Sequence, residues 1–140
     1  MKIYRYSPEQ DAWIPHHSLL DAFCFSPEEN HIVSLVGGGG KTSLMYQLAS
    51  EFAQHGQKVV ATTTTKIRKP EVGCVVTSET SGGLRGAFAY TDVVTVGESI
   101  PPQKLSAPSS ALFSEIFTLA DSVLIEADGA RMLPVKAPAA

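Results

Sequence analysis

His31-Ile32-Val33-Ser34-Leu35-Val36 is apolar almost throughout and β-branched at its centre. Such a run suits a strand covered on both faces in a parallel sheet. After four glycines the period changes. From Lys41 to Gln54 the residues Leu44, Met45, Leu48, Ala49 and Phe52 fall on one helical stripe, which predicts an amphipathic helix, and Gly56 supplies a stop. Lys58-Val59-Val60-Ala61-Thr62-Thr63 then predicts a second strand. Strand, helix and strand over this span form a βαβ unit, which requires parallel strands and a right-handed crossover.

The flanking segments are shorter. Residues 18–25 predict a helix capped by Ser18, with Leu19, Leu20, Ala22 and Phe23 as its apolar surface. Cys74-Val75-Val76-Thr77 and Val93-Val94-Thr95-Val96 predict short strands, and Ser81-Gly82-Gly83 between them favours a loop over a helix. Pro101, Pro102 and Pro108 mark an irregular connection. Ser109 or Ser110 can cap a helix reaching Leu119, with Leu112, Phe113, Ile116, Phe117 and Ala120 inward. Val123-Leu124-Ile125 forms the last strand. Residues 1–15 show no clear period. Alternating strands and helices define an α/β class with a mostly parallel sheet flanked by helices.

Composition narrows the function classes. A length of 140 residues fits one small domain, and 44% hydrophobic residues suit a single core. A net charge of −3 gives no reason to expect nucleic acid as a partner. No apolar run approaches the roughly 20 residues that span a bilayer, and the N-terminus lacks signal-peptide features. A cytoplasmic protein is expected. Cys24 and Cys74 have no CxxC spacing and read as buried thiols of a reducing compartment. His16, His17, His31 and His55 show no ligand spacing, and Trp13 reads as packing.

Candidate chemistry concentrates at the ends of the predicted strands. Gly37, Gly38, Gly39 and Gly40, followed by Lys41, Thr42 and Ser43, stand between a strand and a helix. Glycines let successive backbone N–H groups close around phosphate oxygens, and the helix directs its positive end at the same anion. Lys41 would reach the β and γ phosphates, Thr42 would ligate Mg²⁺, and Ser43 would assist or begin the helix. The usual G-x-x-x-x-G-K-[ST] spacing asks for glycine where Leu35 stands. The match is to a shorter G-x-x-G-K-T loop that resembles the loop of the Mur ligases. A glycine-rich turn with an incidental Lys-Thr is the plainer explanation, and the flanking strand and helix weigh against it. ATP with Mg²⁺ is therefore the expected ligand; the absence of an NKxD-type guanine motif favours ATP over GTP.

Thr62-Thr63-Thr64-Thr65-Lys66 should emerge at the same sheet edge, where ligands of open α/β sheets bind. A threonine there would hold Mg²⁺ or its water, or merely favour the strand; Lys66 would meet a phosphate or an acidic substrate, or merely join Arg68 and Lys69 in a solvated turn. Val123 to Ile125 end in Glu126 and Asp128, which share a face because they are two apart on a strand. Glu126 is the first candidate for the metal, and Asp128 a second ligand or a general base. Arg131 and Lys136 would contact phosphate or substrate if they are not simply solvated.

The ordered set Val33 to Thr42, Thr62 to Lys66, and Leu124-Ile125-Glu126-Ala127-Asp128-Gly129-Ala130-Arg131 through Pro134-Val135-Lys136-Ala137-Pro138 resembles the YqeC family, described as selenium-dependent hydroxylase accessory proteins. The resemblance runs from about Ser18 to the C-terminus. It implies a P-loop nucleotide-binding protein linked to maturation of selenium-dependent molybdenum hydroxylases, with such an enzyme or its cofactor as partner. Residues 18–140 are then the nucleotide-binding domain and 1–17 an N-terminal extension. Family members are longer, so the chain is expected to be their N-terminal portion. Three readings stay open: a nucleotide-driven accessory enzyme or switch, a kinase or ligase acting on a small acidic molecule, and a non-catalytic nucleotide-dependent scaffold.

Overall fold

The structure is a computed structural model and describes residues 2–127. In chain order it contains β1 (Ile3–Ser7), β2 (Ala12–His16), α1 (Leu19–Phe23), β3 (His31–Leu35), α2 (Lys41–Gln54), β4 (Val59–Thr63), β5 (Lys66–Arg68), β6 (Cys74–Val76), α3 (Gly83–Ala87), β7 (Val93–Val96), β8 (Glu98–Ile100), β9 (Lys104–Ser106), α4 (Ser110–Leu119) and β10 (Ser122–Glu126). Five strands form an all-parallel sheet in the order β3-β10-β4-β7-β6. The α/β class and the flanked parallel sheet are thus observed. β1 and β2 form an antiparallel hairpin, so the stretch without period is ordered by its own pairing.

Alternation along the strands builds two cores. Val59, Ala61 and Leu124 point to one face, where Met45, Leu48, Ala49 and Phe52 of α2 meet Leu19 and Leu20 of α1. Val60, Val123 and Ile125 point to the other, against Leu84 and Phe88 near α3 and Leu112 and Ile116 of α4. Each core strand therefore buries both sets of side chains, as a sheet between two helical layers requires.

Four expectations change. β3 is an edge strand among the described residues, and Ile32, which pairs with Val123, is 67% exposed because α3 and α4 cover the sheet only from β10 onward. The glycines at 82 and 83 start a helix rather than a loop: Gly82 takes a left-handed φ of +78°, and burial of Leu84 anchors the turn. The proline-marked connection contains β8 and β9, which join β5 in an antiparallel sheet ordered β5-β9-β8. Phe23, Phe117, Trp13 and Cys24 are exposed rather than packed. Trp13 meets Tyr6 across the hairpin in a tilted pair, with ring centroids 5.4 Å apart.

The small sheet is held against the large one by a close approach. A Cβ added at Gly97, between β7 and β8, would lie 2.5 Å from the Ser106 carbonyl oxygen. Another clamp joins the helices. The buried Glu51 carboxylate of α2 accepts from the Leu19 and Leu20 N–H groups at 2.7 and 3.1 Å, while Ser18 accepts from Asp21 N–H. The free donors at the start of α1 are thus satisfied from its own cap and from a neighbouring helix.

Glu51→Ala leaves those buried N–H groups unpaired and should cost about 1–3 kcal/mol. Urea unfolding checks this; an unchanged midpoint would mean that α1 does not depend on the clamp.

Candidate functional site

The chain folds its candidate chemistry onto one sheet edge because β3, β4 and β10 all run the same way. Glu126 pairs with Leu35 on one side and Thr63 on the other. After Leu35 the chain turns through the four glycines into α2. Gly37 and Gly40 hold φ of +103° and +87°, values that cost other L-residues roughly 1–2 kcal/mol. No side chain would clash there, so the requirement is conformational. α2 begins with no side-chain cap and no acidic residue in its first turn. Its unbonded N–H groups and positive dipole end are left to attract an anion.

Lys41 folds back over the loop and is 8% exposed. Its ammonium donates to the Gly37 and Gly38 carbonyl oxygens at 2.8 Å each. An ammonium has three donors, so one is left. Among the described residues Lys41 forms no ion pair. A loop that satisfies its lysine with carbonyls alone leaves the positive charge uncompensated.

Thr42 donates its hydroxyl to Glu126 Oε2 at 2.6 Å. These residues are 84 apart in sequence, and the contact joins the start of α2 to the end of β10. Around it the backbone is fixed: the Glu126 carbonyl accepts from Thr63 Oγ1 at 2.8 Å and from Thr64 N–H at 3.2 Å, and Ala127 N–H donates to the Leu35 carbonyl at 3.0 Å. Hydroxyl and carboxylate are the hard oxygen donors that Mg²⁺ accepts beside its waters, so the pair fits that ion. Thr42 and Glu126 would hold it, where it would neutralise phosphate charge.

A cavity of about 440 Å³ is lined by Gly39, Gly40, Lys41, Thr42, Lys66 and Glu126, with the small antiparallel sheet as its opposite wall. Gly37 and Gly38 serve through their carbonyls to Lys41. Ser43 is exposed and lines no part of this cavity. Asp128, Arg131 and Lys136 lie outside the described residues. The threonines of β4 are spent on stitching strands, since Thr62 donates to the Val96 carbonyl and Thr63 to that of Glu126. Thr64 reaches the Ala127 carbonyl and Thr65 the Thr63 hydroxyl, both at 3.3 Å.

Sequence reasoning missed three features. Tyr46, one turn after Thr42, bonds the Thr95 hydroxyl at 3.1 Å. Burial pushes its pKa up and the Glu126 carboxylate adds to this, against the Thr95 bond, so the phenol stays neutral. Arg68 and Lys104 line the cavity from strands too short to show a period. On the other side of the same glycines lies an apolar cavity of about 370 Å³, lined by Phe23, Phe25, Val33, Val36 and Leu44.

Fold and site define an α/β protein that presents a glycine loop, a buried lysine and a threonine–glutamate pair at one edge of a parallel sheet. The chain belongs to the YqeC family: the family model, described as YqeC protein, matches residues 33–140. It is similar to the uncharacterized protein YqeC of Escherichia coli (strain K12), with 31% identity over 127 residues that cover 76% of this chain and 44% of the relative. The chain thus spans less than half of that relative's length. No solved structure matches it. Among the described residues no helix is long and apolar enough to cross a membrane, and no three metal-ligating side chains cluster.

Lys41 sits on carbonyls without a carboxylate to offset its buried charge, so removing that charge should cost little stability. Lys41→Met should unfold in urea at a midpoint equal to or above that of the unsubstituted chain, within about 1 kcal/mol. A loss above about 2 kcal/mol would make Lys41 a structural post of the loop.

Proposed function

We propose that the loop from Gly37 to Thr42 binds ATP with Mg²⁺, in a P-loop accessory protein that supports maturation of selenium-dependent molybdenum hydroxylases by ATP hydrolysis or phosphoryl transfer. The observation that carries the nucleotide reading is the 2.6 Å contact between Thr42 and Glu126 beside the glycine loop. A turn that merely linked strand to helix would need neither a buried lysine over its carbonyls nor a carboxylate brought from the far end of the chain. The loop amides and the α2 terminus would cradle the phosphates, and Lys41 would balance charge developing on the terminal one. The two cavities on either side of the glycines, one charged and one apolar, suit a ligand with an anionic end and a flat apolar end. The physiological setting is what the resemblance to the YqeC family implies.

Titration with a fluorescent ATP analogue tests the reading. Lys41→Ala removes a charge-assisted contact and should weaken binding roughly 10- to 100-fold. Chelating Mg²⁺ should weaken binding to the unsubstituted chain and change little in Glu126→Gln. Equal affinity in all three folded proteins, or none in the unsubstituted chain, contradicts the reading.

A further inference from the structure

The wall facing the phosphate loop is set by strand register. Ile67 of β5 pairs with Leu105 of β9, and both are buried in the α2-side core. Period two then sends Lys66, Arg68 and Lys104 to the opposite face. Lys66, Arg68 and Lys104 line the 440 Å³ cavity together with Ile67, across from Thr42 and Glu126. Arg68 and Lys104 are also direct cross-strand partners. Like charges directly opposed on a sheet are destabilising, and here a third cation, Lys66, stands two residues from Arg68 on the same face. Glu71 bonds Arg68 at 2.7 Å, but this pair is exposed on both sides, and such pairs contribute little. Among the described residues the cavity thus gathers four cations, Lys41 included, against the one carboxylate of Glu126, in a chain whose net charge is −3. A basic surface overall does not explain that concentration.

We infer that Arg68 and Lys104, with Lys66 at the loop side, form a second subsite that holds a phosphate or carboxylate group of a small anionic substrate opposite the nucleotide. The inference rests on the nucleotide reading and deepens it by naming the class of second substrate. A guanidinium offers paired donors that match an oxyanion, and the facing ammonium supplies a third contact point. Lys41 is held by the loop carbonyls beside the nucleotide phosphates, so the three wall cations are the ones placed to meet a second anion, Arg68 in exchange for its exposed contact with Glu71. The cavity volume lies within the range of small-molecule sites, about 300–1,000 Å³.

The test uses protein saturated with Mg²⁺ and a non-hydrolysable ATP analogue, so that the terminal phosphate position is filled. Inorganic phosphate and citrate are then titrated in separate calorimetric runs. One of them should bind the unsubstituted chain, and the Arg68→Ala/Lys104→Ala variant should weaken that binding at least tenfold while changing affinity for the ATP analogue less than about twofold. Lys104→Arg, which keeps the charge, should retain probe binding. Both substituted positions are exposed and leave Ile67 and Leu105 in place, so a folded variant is expected. Undiminished probe binding in the double variant overturns the subsite, as does the absence of probe binding to the unsubstituted chain loaded with analogue. Parallel loss of analogue and probe affinity overturns it too, because the wall would then belong to the nucleotide site. If the unsubstituted chain takes up no ATP analogue, the nucleotide reading itself has failed, an outcome visible before any probe is added.

Discussion

Strand β10 lies between β3 and β4, in register with both, and carries Glu126 to the same edge as the glycine loop that follows β3. The rest of the site follows from that placement. A one-residue slip would turn Glu126 to the other face and put Val123 and Ile125 against α2 in place of Leu124. The two hydrophobic cores forbid it, since each strand residue already has a helix to pack against. Apolar packing thereby fixes the position of a carboxylate to within hydrogen-bonding distance of Thr42, and no separate device is needed to aim it.

The edge of the sheet carries polar groups that stability alone would not choose. Lys41 and Glu126 are both buried, yet they are not paired with each other by any contact under 4 Å. Each is satisfied by neutral partners, carbonyls for the lysine and a hydroxyl for the glutamate. Such an arrangement holds charges apart at some cost and leaves both able to interact with a ligand that carries a phosphate and a metal. The threonines of β4 do the opposite work: their hydroxyls close backbone carbonyls at the strand ends and make the platform rigid. Rigidity below and charge above are the conditions under which a site is preorganised.

Much of this was legible in the amino-acid sequence, and the boundary of legibility has a physical cause. α2 matches its expected span because fourteen residues give four turns in which periodicity can show. The loop, Thr42, Lys66 and Glu126 could be read because each follows an apolar run long enough to mark a strand end. The β5-β9-β8 sheet could not, because three-residue strands offer a single alternation, Lys-Ile-Arg or Lys-Leu-Ser, and Pro101 and Pro102 disguise the turn between two of them. Arg68 and Lys104 become neighbours only through register, which composition does not carry. The exposure of Ile32 is likewise set by which strands the helices cover, a property of the assembled layers.

The most direct measurement is a crystal structure of the chain with Mg²⁺ and a non-hydrolysable ATP analogue. The terminal phosphates are expected within hydrogen-bonding distance of the loop amides and the Lys41 ammonium, and the metal beside Thr42 and Glu126, bound directly or through its water. A nucleotide seated elsewhere, or a metal that leaves the Thr42–Glu126 pair untouched, would contradict that placement.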